Sequence, residues 1–173
     1  MSLRKILIHP DPRLKKTCDP VIDIDAELRK LADDMLETMY DAPGIGLAAP
    51  QVGTLHRLFV MDISGKEGSS EPRVLFNPEI TWSSDIMNVH EEGCLSIPDI
   101  YEEITRPDTV RMRFQDIDGK QIEEEFDGIG ATCVQHELDH LNGRLFIDYL
   151  SAMKRGMITK KMKKLKKERA RDE

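Results

Sequence analysis

At 173 residues the chain is long enough for one domain with a real core, and 39% hydrophobic with 33% charged residues is the composition of a globular protein rather than a disordered or fibrous one. No apolar run reaches the roughly 20 residues of a membrane span. Met1 to Pro10 carries too short an apolar patch, Ile6 to Ile8, to read as a signal peptide, and three cysteines (Cys18, Cys94 and Cys133) argue against a disulfide framework, so a reducing, cytoplasmic setting is expected. The net charge of −7 is uneven: residues 151–173 hold ten Lys or Arg against three Asp or Glu, which leaves −14 on residues 1–150. An acidic body with a basic tail points to an anionic partner for the tail.

In chain order, Asp25 to Tyr40 reads as an amphipathic helix, capped by Asp25 and apolar along Leu28, Leu31, Met35 and Met39. Pro43 closes it off. The stretch Gly44-Ile-Gly-Leu-Ala-Ala-Pro-Gln51 reads as a loop, unusual for being apolar and glycine-rich. Arg57 to Ile63 predicts a strand, Ser64 to Pro72 a polar loop, and Val74 to Phe76 a short strand closed by Asn77-Pro78. Thr109 to Gln115 alternates, with Val110, Met112 and Phe114 on one side, and Asp118-Gly119 turns the chain into Gln121 to Phe126. Gly128 to Asn142 predicts a helix ended by Gly143. Ser151 to about Arg171 predicts a last helix, with Met153, Met157, Met162 and Leu165 as a sparse apolar stripe. Helices toward both ends with strands between them give an α+β domain. Residues 1–150 are expected to form its catalytic part and residues 151–173 a basic C-terminal helix belonging to the same domain.

His136-Glu-Leu-Asp-His140 carries the strongest chemical signal. Residues four apart on a helix lie about 40° apart around its axis, so both imidazoles can face one metal ion with Glu137 beside its water. A helix with two surface histidines and a glutamate is the plainer alternative. A hydrolytic metal needs a third protein ligand and an open position. Gly143 fits one downstream metalloprotease pattern, but Phe146 stands where its third histidine belongs, and no histidine follows His140. The third ligand is therefore sought upstream, among Cys94, Cys133, His9, His56 and His90. Cys133 also reads as a small packing residue of the helix. Cys94 follows Gly93, which lets the backbone approach a site closely. Asp139 points about 100° away from His140 and reads as structural, pairing with an arginine. Two other readings remain at this level: a peptidase cutting internal bonds, and a closed structural zinc site made by Cys94, Cys133, His136 and His140.

Three segments, Gly44-Ile-Gly-Leu-Ala-Ala-Pro-Gln51, Glu92-Gly-Cys-Leu-Ser96 and Gln135-His-Glu-Leu-Asp-His140, resemble peptide deformylase, in the family's order. His9-Pro-Asp-Pro-Arg-Leu14 is similar to the family's opening stretch, so the resemblance spans nearly the whole chain. It implies antiparallel strands packed around a central metal-binding helix. It implies that Cys94, His136 and His140 bind one divalent metal, Fe(II) as the native ion with Zn(II) as the alternative, and that no organic cofactor is used. The implied reaction removes the formyl group from the N-terminal formyl-methionine of new polypeptides as formate. Water activated by the metal attacks the formyl carbon, Glu137 is general base, and the Gln51 amide and Leu95 N–H meet the oxyanion. Ile45, His90 and Cys133 are expected near the methionine side chain. Gly46, Glu92 and Gly93 are expected beside the peptide backbone. By the same resemblance the basic tail meets the ribosome, where the plainer reading is a solvated helix packing its methionines on the body. No membrane partner is implied.

Overall fold

Leu58–Met61 is a run of four apolar residues, and all four are buried. Successive strand side chains point to opposite faces, so such a run needs cover on both sides. The computed structural model, which describes residues 2–65 and 68–172, supplies that cover. Its elements are α1 (Ala26–Asp41), β1 (Gly46–Ala48), β2 (Leu58–Met61), β3 (Arg73–Ser83), β4 (Met87–Cys94), β5 (Ile97–Pro107), β6 (Val110–Gln115), β7 (Gln121–Phe126), α2 (Gly128–Leu141) and α3 (Ala152–Asp172). Short 3-10 helices form at Pro12–Lys15, Ala49–Val52 and Phe146–Tyr149.

Five strands pair in the order β1-β2-β3-β6-β7, antiparallel throughout, and β4 with β5 forms a separate two-stranded sheet. Leu47, Leu58, Val60 and Phe76 pack on one face of the larger sheet with Leu28, Leu31, Met35 and Met39 of α1. Phe59, Met61, Leu75, Val110, Met112, Phe114 and Phe126 pack on the other with Ala131, Cys133, Val134 and Leu141 of α2. The sheet thus lies between the two helices, and α2 sits on its inner face. A third cluster joins Leu7, Leu14, Ile97, Ile104, Leu145, Phe146 and Ile147 to Ile158 and Met162 of α3. The architecture is α+β, as expected. Among the described residues no helix is long and apolar enough to cross a membrane.

The ends of α1 and α2 follow the sequence. Asp25 accepts the Leu28 N–H at 2.9 Å and caps α1. Asn142 caps the end of α2, and Gly143 follows with φ 75°. Four expectations change. Gly44 to Gln51 is not a plain loop: Gly46–Ala48 adds a strand to β2, and Ala49–Val52 is a 3-10 helix. β3 does not stop at Asn77-Pro78. It runs on to Ser83 through a register shift after Phe76, with Asn77 at φ 50°. Residues 87–107, unassigned from sequence, form the β4–β5 hairpin. Last, the buried stripe of α3 is Ile158, Met162 and partly Leu165, while Met153 and Met157 are 77% and 59% exposed. At about 100° per residue, Ile158, Met162 and Leu165 line up, and the two methionines lie about 100–140° off that line.

Candidate metal centre and its cleft

Three distant stretches of chain meet beside α2. His136 and His140 project from one face of the helix, buried, with ring centroids 5.0 Å apart. β4 carries a register shift between Glu92 and Cys94, and the Cys94 thiol arrives 3.4 Å from His140 Nε2. The Cys94 thiol and one ring nitrogen from each histidine all lie within 4.8 Å of one another, close enough to share one ion. Cys133 is not in this group; its thiol lies 3.8 Å from the Ile45 carbonyl. The closed four-ligand site that the sequence allowed is therefore not built. His9 is buried against α3, 2.8 Å from Thr159 Oγ1, and His56 is exposed; neither joins the cluster.

His136 is held from behind, whereas His140 Nδ1 is buried with no hydrogen-bond partner among the described residues. His136 Nδ1 lies 2.9 Å from Glu92 Oε1. A carboxylate only accepts, so Nδ1 carries the proton and the Nε2 lone pair is left for a metal. Arg106 donates from Nε and Nη2 to the two Glu92 oxygens at 2.6 and 2.9 Å, and from Nη1 to Asp139 at 2.9 Å. Asp139 thus has the arginine partner expected of it. Phe146, 1% exposed, stacks near the His136 ring with centroids 6.1 Å apart. The position where a protease-type third ligand would stand therefore packs behind a histidine.

Electrostatics favour a cation here. Burial opposes charge on His136, but the Cys94 thiol, Glu92 and the charge of Glu137 outweigh it, and its basicity ends well above the ordinary imidazole value. Burial and the neighbouring His136 push His140 well below that value. Burial likewise opposes the Glu92 carboxylate, yet the hydrogen bonds from His136 and Arg106 hold it below the ordinary range. Surroundings that raise proton affinity at His136 also favour a metal cation at the same lone pair. Glu137 differs: burial pushes its carboxyl up to about 7. Its Oε1 has no hydrogen-bond partner among the described residues. Its Oε2 lies against Gly46, where a Cβ would come within 2.6 Å, so a larger residue there would have to displace the Glu137 carboxylate.

Gln51 is 1% exposed, not a surface loop residue. Its Oε1 accepts the Ala48 N–H at 3.0 Å, and its Nε2 donates to Ser96 Oγ at 3.0 Å and lies 3.5 Å from Cys94 Sγ. The amide nitrogen is thereby fixed beside the cysteine. Leu95 occupies the turn between β4 and β5, and its side chain packs on Gly44. A cleft of about 1310 Å³ opens over the cluster. Ile45, Gly46, His90, Gly93 and Cys133 all border it. Glu92 borders it too, but both its carboxylate oxygens are engaged by His136 and Arg106, so its side chain supports the histidine and is not free for a peptide backbone.

Sequence reasoning missed Ser96, Arg106, Ile129, Tyr101 and Tyr149. Ile129, 54% exposed in the first turn of α2, borders the cleft, as does Tyr101. A Cβ on Gly93 would fall 2.6 Å from the Tyr101 ring, which accounts for glycine there. Pairing Glu92 with Glu102 across the hairpin would have revealed that contact, but nothing in the residue pattern announces the hairpin.

Comparison with known proteins agrees with this geometry. The family profile described as polypeptide deformylase matches residues 3–156. A peptide deformylase of Rhodopseudomonas palustris (strain TIE-1) is 56% identical over 169 residues, 96% of this chain and 97% of that protein. The crystal structure of a Legionella pneumophila peptide deformylase superposes with a TM-score of 0.90 at 46% identity, covering 98% of this chain and 99% of that one. An Ehrlichia chaffeensis peptide deformylase solved in complex with actinonin gives a TM-score of 0.89 at 40% identity, covering 95% and 98%. With the profile matched over most of the chain and a relative more than half identical along nearly all of it, the chain belongs to the polypeptide deformylase family.

Proposed function

We propose that this chain hydrolyses the N-formyl group from the N-terminal formyl-methionine of newly made polypeptides, using one divalent metal ion held by Cys94, His136 and His140. The observation that carries the metal reading is the triad itself, one thiol and two imidazoles within 4.8 Å at the base of an open cleft. The donor set fits Zn(II) and Fe(II), with Fe(II) the native ion. Such an ion supplies Lewis acidity, acidifying water and polarising the formyl carbonyl.

The remaining chemistry falls to the protein. Glu137 takes the proton from the attacking water at its carboxylate and returns it to the leaving amine. Its buried, unpartnered Oε1 and raised proton affinity suit a group that must gain and lose a proton within one turnover. The Gln51 amide nitrogen and the Leu95 N–H donate to the formyl oxygen as it becomes negative. Gln51 is held for this by its bonds to Ala48 and Ser96. Ile45, His90, Cys133 and Ile129 line the methionine slot, and Gly46 and Gly93 border the peptide backbone. The basic helix α3 docks on ribosomal RNA.

Glu137→Ala should keep one metal per chain and lose nearly all formate release from formyl-Met peptides. Substantial residual turnover would show that another group is the base. Cleavage within the peptide, without formate, would overturn the deformylase reading.

A further inference from the structure

A chain of polar contacts runs from the surface to His136. Tyr149, at the end of the 3-10 helix that leads toward α3, donates its hydroxyl to Asp139 Oδ2 at 2.8 Å. The same oxygen accepts from Arg106 Nη1 at 2.9 Å. Arg106 is 6% exposed and grips Glu92, which in turn receives His136 Nδ1. The Tyr149 ring also lies 4.9 Å from the Arg106 guanidinium carbon and 4.7 Å from that of Arg144.

We propose that Tyr149 and Asp139 are positioning residues for the metal centre. Glu92 takes the Nε–Nη2 edge of the Arg106 guanidinium and leaves the donors of Nη1 to be satisfied in a buried setting. Asp139 fixes the other edge. Its side chain is only 16% exposed, and the Tyr149 hydroxyl on Oδ2 gives that oxygen a second donor beside Arg106. With Arg106 held at both edges, Glu92 presents one orientation to His136, and His136 presents one tautomer and one ring angle to the ion. Retention of the ion then depends on Tyr149, a residue just before the C-terminal helix and outside the two segments that supply ligands and base.

The inference rests on the metal reading, and the experiment separates the two. Zn(II)-loaded protein is mixed with a chelating dye, and metal release is timed for the parent, Tyr149→Phe, Asp139→Asn and the double variant. Tyr149→Phe keeps the ring and removes only the hydroxyl. It should release Zn(II) several-fold faster, up to about tenfold, with the melting temperature of the chelator-treated protein unchanged. The His136 Nδ1–H proton should exchange with solvent faster by NMR. The double variant should release no faster than Asp139→Asn alone, since both act along one chain of contacts. Release at the parent rate from both single variants, or a double variant whose effects multiply, overturns the inference while leaving the metal centre standing. A parent protein that binds no Zn(II) overturns both.

Discussion

Glu137 sits where an ionised carboxylate is poorly served: buried, with Oε1 unpartnered and Oε2 pressed on a glycine. Without a cation beside it, burial raises its proton affinity to about 7 from an ordinary 4.5. That has a thermodynamic consequence. Between those two values the folded state holds a proton that the unfolded state has released, so stability falls as pH rises from about 4.5 to 7 and stays reduced above. Glu137→Gln removes this dependence. The chelator-treated variant should therefore melt above the chelator-treated parent at pH 8, by up to about 3 kcal/mol in stability, and the two should converge near pH 4. A gap that does not change with pH would mean that Glu137 is not the group titrating. The residue proposed as the base is thus expected to weaken the empty fold, a common trade at active sites.

At the scale of elements, β3 passes through an Asn-Pro pair because Asn77 replaces the missing ladder bonds with its own side chain. It accepts the Val21 N–H, donates to the Val21 carbonyl and donates to Gln115 Oε1, at 2.8, 2.8 and 2.9 Å. Asn77→Ala should destabilise the protein by about 2–3 kcal/mol, from three hydrogen bonds at roughly 1 kcal/mol each, read as a lower urea midpoint; a loss under about 0.5 kcal/mol would show the bonds to be dispensable. This residue also marks where the sequence stopped being legible. Asn77-Pro78 carries the usual end-of-strand chemistry, and only the fold reveals that the strand resumes. The β4–β5 hairpin was hidden for another reason. Its residues are polar on much of both faces, with Glu91, Glu102 and Glu103 interrupting any alternation. By contrast α1, β6 and α2 could be read directly because each packs one apolar face on a core, and β2 because its unbroken apolar run is buried on both faces. The metal-site triad was legible in two ways: His136 and His140 by helical spacing, and Cys94 as one of five upstream candidates that only the resemblance singled out. Arg106, Asp139 and Tyr149 come from three separate elements, and no spacing rule connects them.

Over the whole molecule, charge is segregated. The acidic residues 1–150 carry the Cys94–His136–His140 cluster, and α3 is basic, with Lys160, Lys161, Lys164 and Lys167 all exposed and Lys166 and Arg169 reaching the edge of the cleft. The family match stops at residue 156, so most of this helix lies outside it. Deleting the helix would strip Ile158 and Met162 from the third core cluster and confuse binding with folding. Replacing the four exposed lysines by Gln spares that core. If α3 docks on ribosomal RNA, the variant should co-sediment less with ribosomes and show a shallower dependence on salt, by roughly 0.7 to 0.9 in log–log slope for each phosphate that is no longer neutralised. Co-sedimentation equal to the parent's across salt concentrations would leave the helix as a solvated face only.

The meeting of remote segments at one point has a consequence in time. Gln51 and Cys94 are 43 residues apart, and Cys94 and His140 are 46. Loops of that length close only as the sheet and α2 come together, since their entropy must be offset by long-range packing. A growing chain that has produced Cys94 owns a thiol and no site, and one that has produced His140 still lacks Phe146 behind His136 and Ile158 in the third cluster. The three donor groups are therefore gathered only once the sheet and α2 have packed together, and a chain stalled before His140 holds at most a thiol and one imidazole, whatever else it has already folded.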